Sequence, residues 1–140
     1  MTPALSLPPG FADTNVLVRY LTGDPVQMAR QARAIVENAG RLLVTEGILN
    51  ETAYVLMSFY GMPRAAVVDL LVELVARSNV DTWQMDEERV TEALLLCRDS
   101  GRVSLADAML WAVARSTPVR RVYTFDQRFP AEGLERLSSG

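Results

Sequence analysis

One stretch near the N-terminus decides the fold, and it reads Phe11-Ala12-Asp13-Thr14-Asn15-Val16-Leu17-Val18-Arg19-Tyr20-Leu21. Phe11 and Ala12 fit a short strand, and the polar residues after them open an apolar helical segment over 16–21. The carboxylate of Asp13 therefore follows a predicted strand directly and precedes a predicted helix.

The same alternation of strand and helix continues along the whole chain. Further strands are predicted at 42–44, 80–84, 121–124 and 134–137, and further helices at 25–38, 48–60, 65–77, 87–98 and 104–115. Strands that alternate with helices indicate an α/β fold with a parallel sheet covered on both faces. Such sheets bind ligands at the carboxyl ends of their strands, where both Asp13 and Asp126 are expected.

Length and composition indicate one soluble domain. Of the 140 residues, 49% are hydrophobic and 22% are charged, as in ordinary globular proteins. Residues 1–10 carry three prolines and are predicted to form an irregular leader, followed by a single domain at 11–140. No apolar run approaches the roughly 20 residues of a membrane span, and the leader lacks the basic start of a signal peptide. The lone Cys97 is expected to be buried filler, and the cytoplasm is the expected compartment.

The residue types that are missing exclude several kinds of chemistry. The chain has no histidine, and its 14 cationic residues are all arginines. Histidine-based triads, HExxH zinc sites, P-loops and Schiff-base lysines are therefore excluded. Carboxylates are the main catalytic groups that remain, and they act as acid–base pairs or bind hard cations such as Mg²⁺ and Mn²⁺. The net charge of −3 argues mildly against broad nucleic-acid binding, although clustered acids lower the net charge while arginines still bind phosphate.

Three of the candidate acids also have simple structural explanations. Asp13 precedes a helix, where an aspartate caps backbone N–H groups. Asp107 stands third after Ser104 in a capping-box pattern, and Asp126 follows a strand, where turns are common. A helix N-terminus also stabilises a carboxylate, so capping and ligand binding are compatible.

Glu51 differs from these three because it lies within a mostly apolar helical segment at 48–60. An acid there either occupies a narrow solvent-facing stripe or is partly buried. Burial of an unpaired carboxylate is costly and usually indicates a partner or a metal ion. The sequence leaves both interpretations open.

Four segments together resemble the PIN-domain nucleases, in particular the VapC-type toxins of toxin–antitoxin systems. The segment 13–21 is similar to the first motif of that family, and the three others follow in family order. They read Asn50-Glu51-Thr52-Ala53-Tyr54-Val55-Leu56, Leu105-Ala106-Asp107-Ala108-Met109-Leu110 and Thr124-Phe125-Asp126-Gln127-Arg128-Phe129. One departure is visible: Pro8, Pro9 and Gly10 form a poor central strand, so the first strand is expected to be short or irregular.

The resemblance implies a three-layer α/β/α sandwich around a parallel sheet of four or five strands. It implies an endoribonuclease that uses one or two Mg²⁺ or Mn²⁺ ions, usually a homodimer that is silenced by a small VapB-like antitoxin. The acids Asp13, Glu51, Asp107 and Asp126 match the metal-binding and catalytic positions, and Asn15 and Thr124 match the polar residues that support them. The candidates for contact with RNA phosphates are Arg19, Arg102, Arg120, Arg121 and Arg128, although any one of them is more often a solvated surface charge.

Two other functions remain open at this point. The chain could be a catalytically silent PIN-like binding module that acts through protein or RNA complexes, but it retains all four acids, which counts against that interpretation. A phosphatase of the haloacid-dehalogenase type would need a second aspartate two residues after Asp13 and usually a lysine. Asn15 stands at that position and lysine is absent.

Overall fold

The computed structural model describes residues 6–138, and its elements follow the predicted alternation to within two residues at every boundary. The described residues form five strands: β1 (Gly10–Phe11), β2 (Leu42–Val44), β3 (Val80–Thr82), β4 (Arg121–Tyr123) and β5 (Glu135–Leu137). They form six helices: α1 (Thr14–Thr22), α2 (Val26–Asn38), α3 (Glu46–Ser58), α4 (Arg64–Val75), α5 (Glu87–Leu96) and α6 (Leu105–Arg115). The α/β class is confirmed.

The strands pair in parallel, as expected, but in two groups. β1, β2 and β3 form a three-stranded sheet in that order, and β4 pairs with β5 alone. The predicted single sheet of four or five strands is therefore not found among residues 6–138. β1 is only two residues long and follows Pro8 and Pro9, which lack the backbone N–H that a central strand donates to its neighbours.

The N-terminal leader is partly attached to this sheet. Its first five residues lie outside the described part of the chain. The backbone of Leu7 donates to the Asn38 carbonyl at 2.8 Å and accepts from the Gly40 N–H at 2.7 Å. The N–H groups of Gly10 and Ala12 then donate to Arg41 and Leu43. The chain thus enters β1 along the edge of β2.

A hydrophobic core fixes the helices that carry the candidate acids. Leu17 of α1, Leu49 and Leu56 of α3, and Trp111 of α6 are fully buried, and α3 packs against both α1 and α6. The helices that carry Asp13, Glu51 and Asp107 are therefore held together by packing against α3. Burial of such large apolar side chains is the main favourable contribution to folding.

Two further predictions concern the buried thiol and membranes. Cys97 is fully buried, as expected, and its thiol donates to the Leu94 carbonyl at 3.3 Å. Within residues 6–138, no helix has the length and apolar character that crossing a bilayer requires.

Candidate functional site

The centre of the site is a bridge between Asp13 and Glu51 that passes through Thr14. β1 ends at Phe11 and Ala12 is buried, so Asp13 emerges at the carboxyl end of the strand as the N-cap of α1. Its Oδ1 accepts the Thr14 N–H at 2.8 Å, which confirms the predicted cap. The hydroxyl of Thr14 then donates to Oε2 of Glu51 at 2.9 Å. One buried threonine thus contacts two carboxylates that lie 38 residues apart in the chain.

Glu51 reaches this position because α3 packs against α1. Thr45 caps α3 by accepting the Ile48 N–H at 3.2 Å, which fixes the start of the helix one and a half turns before Glu51. The residue is exposed rather than buried. Of the two interpretations that the sequence left open, the structure selects a solvent-accessible carboxylate oriented by a buried hydroxyl.

Asp107 lies in the first turn of α6, which packs against α3. Its backbone N–H donates to Oγ of Ser104 at 3.1 Å, so the predicted cap is confirmed, and its side chain is half-buried. An open groove of about 500 Å³ runs between Glu51 on α3 and Leu105 and Ala106 at the start of α6. The groove brings the N-terminus of α6 next to Glu51, where the partial positive charge of the helix end favours an anionic group.

Asp126 occupies an exposed turn directly after β4. Its Oδ1 accepts the Arg128 N–H at 2.8 Å, the Arg128 guanidinium lies at 3.8 Å, and its own N–H donates to Oγ1 of Thr124 at 3.0 Å. Thr124 thus contacts the backbone of Asp126. In the described part of the chain, no three or more side chains of the metal-binding types histidine, cysteine, aspartate and glutamate lie close enough together to hold an ion. The four acids thus do not form one cluster in the described residues, and β4, which precedes Asp126, pairs with β5 and not with the sheet that contains β1.

Comparison with known proteins identifies the fold family. A model of the PIN domain matches residues 11–132, which is most of the chain. The chain belongs to the PIN domain family. No curated protein and no solved structure matches it. PIN domains are generally nucleases, and these nucleases generally use divalent metal ions.

The acids of this PIN domain fit such an ion in chemistry and in part in geometry. A hydrated Mg²⁺ usually takes one or two protein carboxylates and completes its shell with water and substrate phosphate. Asp13 and Glu51 supply two exposed carboxylates joined by Thr14. Neither forms an ion pair with an arginine among residues 6–138. Their charges are thus free to meet a cation.

The remaining sequence candidates lie at the edges of the site. Asn15 is exposed in the first turn of α1 and lines a shallow groove with Arg19. Arg19 donates to the Asp24 carbonyl at 3.2 Å, and Arg121 pairs with Glu135 at 3.1 Å. Arg102 and Arg120 are exposed, and Arg120 adopts a φ of 50° in the turn before β4. Among the five candidate arginines, Arg121 on β4 already pairs with the carboxylate of Glu135 on β5, and Arg128 lies beside Asp126.

The sequence did not indicate the roles of two residues of this PIN domain, Thr14 and Arg64. The sequence marks Thr14 only as part of the helix start, yet its backbone N–H donates to Asp13 and its hydroxyl donates to Glu51. Arg64 of α4 donates to the Val103 carbonyl at 3.1 Å and to the carbonyls of Cys97 and Ser100 at 3.5 Å. It thereby anchors the loop that leads into α6 and Asp107. No sequence signal predicts either contact, because both join residues more than 30 positions apart.

Proposed function

We propose that this PIN domain is a Mg²⁺- or Mn²⁺-dependent endoribonuclease and the toxin of a toxin–antitoxin pair. The observation that carries the proposal is the bridge in which Thr14 joins Asp13 and Glu51. Two unpaired, exposed carboxylates from different elements are held together at the carboxyl end of a parallel strand, where α/β folds bind ligands. Family membership supports the nuclease chemistry, and the four motifs support the VapC-type toxin.

Each acid has its own task in the proposed hydrolysis of an RNA phosphodiester bond. Asp13 and Glu51 would hold one metal ion, and Asp107 and Asp126 would contribute to it or to a second ion. A divalent ion, when bound, lowers the pKa of its water and stabilises charge on phosphate oxygens. Thr14 orients the Glu51 carboxylate, and Ser104 fixes the turn that carries Asp107. Asn15 and Thr124 support the acids beside them, and exposed arginines, Arg102 foremost, bind the flanking phosphates.

Exposed apolar side chains at the end of α3 and on α6 support the proposed partners. Phe59 at the end of α3 is 79% exposed and Leu110 of α6 is 43% exposed. Such residues mark interfaces where they form a contiguous patch. We assign them to a second copy of the chain in a homodimer and to a small VapB-like antitoxin. We place the chain in the cytoplasm as part of the same proposal, because its proposed substrate, RNA, is found there.

The test is RNA cleavage by the purified full chain, freed of any bound antitoxin. We expect cleavage with Mn²⁺ or Mg²⁺, none with EDTA, and none by Asp13→Asn, which keeps the N-cap but removes the charge. Asp81→Asn is the matched control, because Asp81 lies on β3 and pairs with Arg41, which is not a residue of the proposed site. Metal-independent cleavage, or full activity of Asp13→Asn, would reject the proposal.

A silent binding module is the second candidate, and one observation favours it: the four acids do not converge in the described residues. Such a module would bind RNA or a protein partner and leave RNA intact. The same cleavage experiment separates the two functions. A folded, partner-free chain that cleaves no member of a broad RNA panel with either ion supports the binding module.

A further inference from the structure

The groove beside Glu51 combines apolar walls with a single carboxylate. It is lined by apolar surface from Met57 on α3 and from Leu105 and Ala106 at the start of α6, and Glu51 is its one charged residue. An acidic side chain in the groove repels phosphate. The groove therefore suits a flat, neutral group rather than the sugar–phosphate backbone.

Two side chains of α3 give this groove the features of a base-binding site. Tyr54 lines it one turn after Glu51 and is 68% exposed, so an aromatic face is open to solvent. Asn50 lines it as well. Its amide nitrogen donates to Glu46 at 3.0 Å, while its Oδ1 is shielded from solvent and has no hydrogen-bond partner in the described part of the chain. An unpaired buried acceptor costs free energy, and a donor in the groove relieves that cost once the Asn50 side chain rotates toward it.

We propose that this groove binds one unstacked nucleobase of the RNA next to the scissile phosphate. Tyr54 stacks on the base, and Oδ1 of Asn50, after rotation of its side chain, accepts from an exocyclic amine of adenine or cytosine. Proteins that recognise single-stranded RNA stack its bases on aromatic side chains and read their edges by hydrogen bonds. The inference rests on the proposed RNA substrate. It identifies the chain's own base-specific contacts, one helical turn from a proposed metal ligand.

Gly47 provides a way to fill the groove without disturbing the fold. It lines the groove in the first turn of α3, and a Cβ added there would meet no atom within 4 Å. Leucine is also a better helix former than glycine. Gly47→Leu is therefore expected to fold normally and to occupy the space that the base needs.

The experiment measures binding rather than cleavage. Full-length Asp13→Asn protein is titrated with labelled single-stranded RNA octamers of adenosine, cytidine or uridine, and with an abasic octamer of the same backbone. In that background, we expect Tyr54→Ala to weaken RNA binding by about tenfold, Gly47→Leu to weaken it at least as much, and Tyr54→Phe to preserve it. Asn50→Ala should remove a preference for adenosine and cytidine over uridine. Tyr123→Ala is the matched control, because Tyr123 on β4 is also an exposed tyrosine and does not line the groove.

Each outcome decides the inference separately from the nuclease proposal. Unchanged RNA binding by Tyr54→Ala and Gly47→Leu overturns it, as does an equal loss of binding to the abasic octamer. If Gly47→Leu instead dissociates a dimer and leaves RNA binding intact, the groove belongs to a second copy of the chain and the inference fails. If the wild-type chain cleaves no RNA but octamer binding depends on Tyr54, the nuclease proposal fails and the base site stands.

Discussion

Thr14→Val tests the bridge on which the proposed site depends. The side chain of Thr14 is buried, with 6% exposure, and its hydroxyl is the donor that holds Oε2 of Glu51 at 2.9 Å. Valine keeps the shape and removes the donor. The Glu51 carboxylate then loses the hydrogen bond that orients it. Asp13 still accepts the backbone N–H of residue 14.

The expected magnitude differs between stability and activity. A hydrogen bond to a charged group contributes about 1.5–3 kcal/mol, but Glu51 is exposed and water replaces the lost donor, so we expect a loss of about 1 kcal/mol in the free energy of unfolding. Misplacement of a catalytic group by 1 Å can lower a rate by roughly 100-fold. We therefore expect kcat/KM for Mn²⁺-dependent RNA cleavage to fall between about 10- and 100-fold.

Two companion variants separate orientation from a general structural effect. Thr14→Ser keeps the hydroxyl and should restore most of the activity. Thr52→Val makes the same change in α3. The Thr52 hydroxyl is buried and has no hydrogen-bond partner in residues 6–138. Because valine removes this unsatisfied group, the variant should raise the free energy of unfolding by about 1 kcal/mol. Denaturant unfolding and initial cleavage rates measure both effects. Wild-type activity in Thr14→Val, or equal activity loss in Thr14→Ser, would refute the reasoning.

Two further predictions concern the loop into α6 and acid stability. Arg64→Leu removes the donor to three loop carbonyls and should lower the free energy of unfolding by about 1–3 kcal/mol, with faster proteolysis between residues 97 and 103; an unchanged cleavage pattern would contradict the anchoring role. Arg98 donates two hydrogen bonds to Asp69, at 2.8 and 2.9 Å, and holds the pKa of that carboxyl below its usual 3.8. Because the folded pKa is lowered, this stabilisation is present above pH 3.8 and is lost as the pH falls through the folded value. Asp69→Asn should therefore flatten the decline of the melting temperature below about pH 4; an identical acid profile would contradict it.

The elements of the fold were predictable because their signals are local. These signals are the apolar periodicity, the glycine that ends α1 at Gly23, where φ is 71°, and the serine that caps α6 at Ser104. Each of them depends on neighbouring residues alone. The short first strand was also predictable, since two prolines and a glycine precede it. The joining of strands into one sheet was not, because pairing depends on backbone groups far apart in the chain, and here β4 pairs only with β5.

The candidate acids show the same division. Asp13, Asp107 and Asp126 were recognised from their positions after strands and at helix starts, and the caps formed by Asp13 and Ser104 are confirmed. Whether Glu51 is exposed, and which acid it meets, was open. The answer depends on how α3 packs against α1, which is a property of the buried surface and not of the residues around Glu51.

The sequence by itself determined the α/β class, the boundaries of the elements, the carboxylate-only chemistry and the family resemblance, since each follows from residue types and short spacings. Only the tertiary structure decided that Thr14 joins Asp13 to Glu51, that Asp126 stays in a separate turn, and that Tyr54 and Asn50 share a groove with Glu51. Those contacts are made when helices and strands distant in the chain pack together to bury their apolar faces. No local pattern encodes which polar side chains that packing brings into contact.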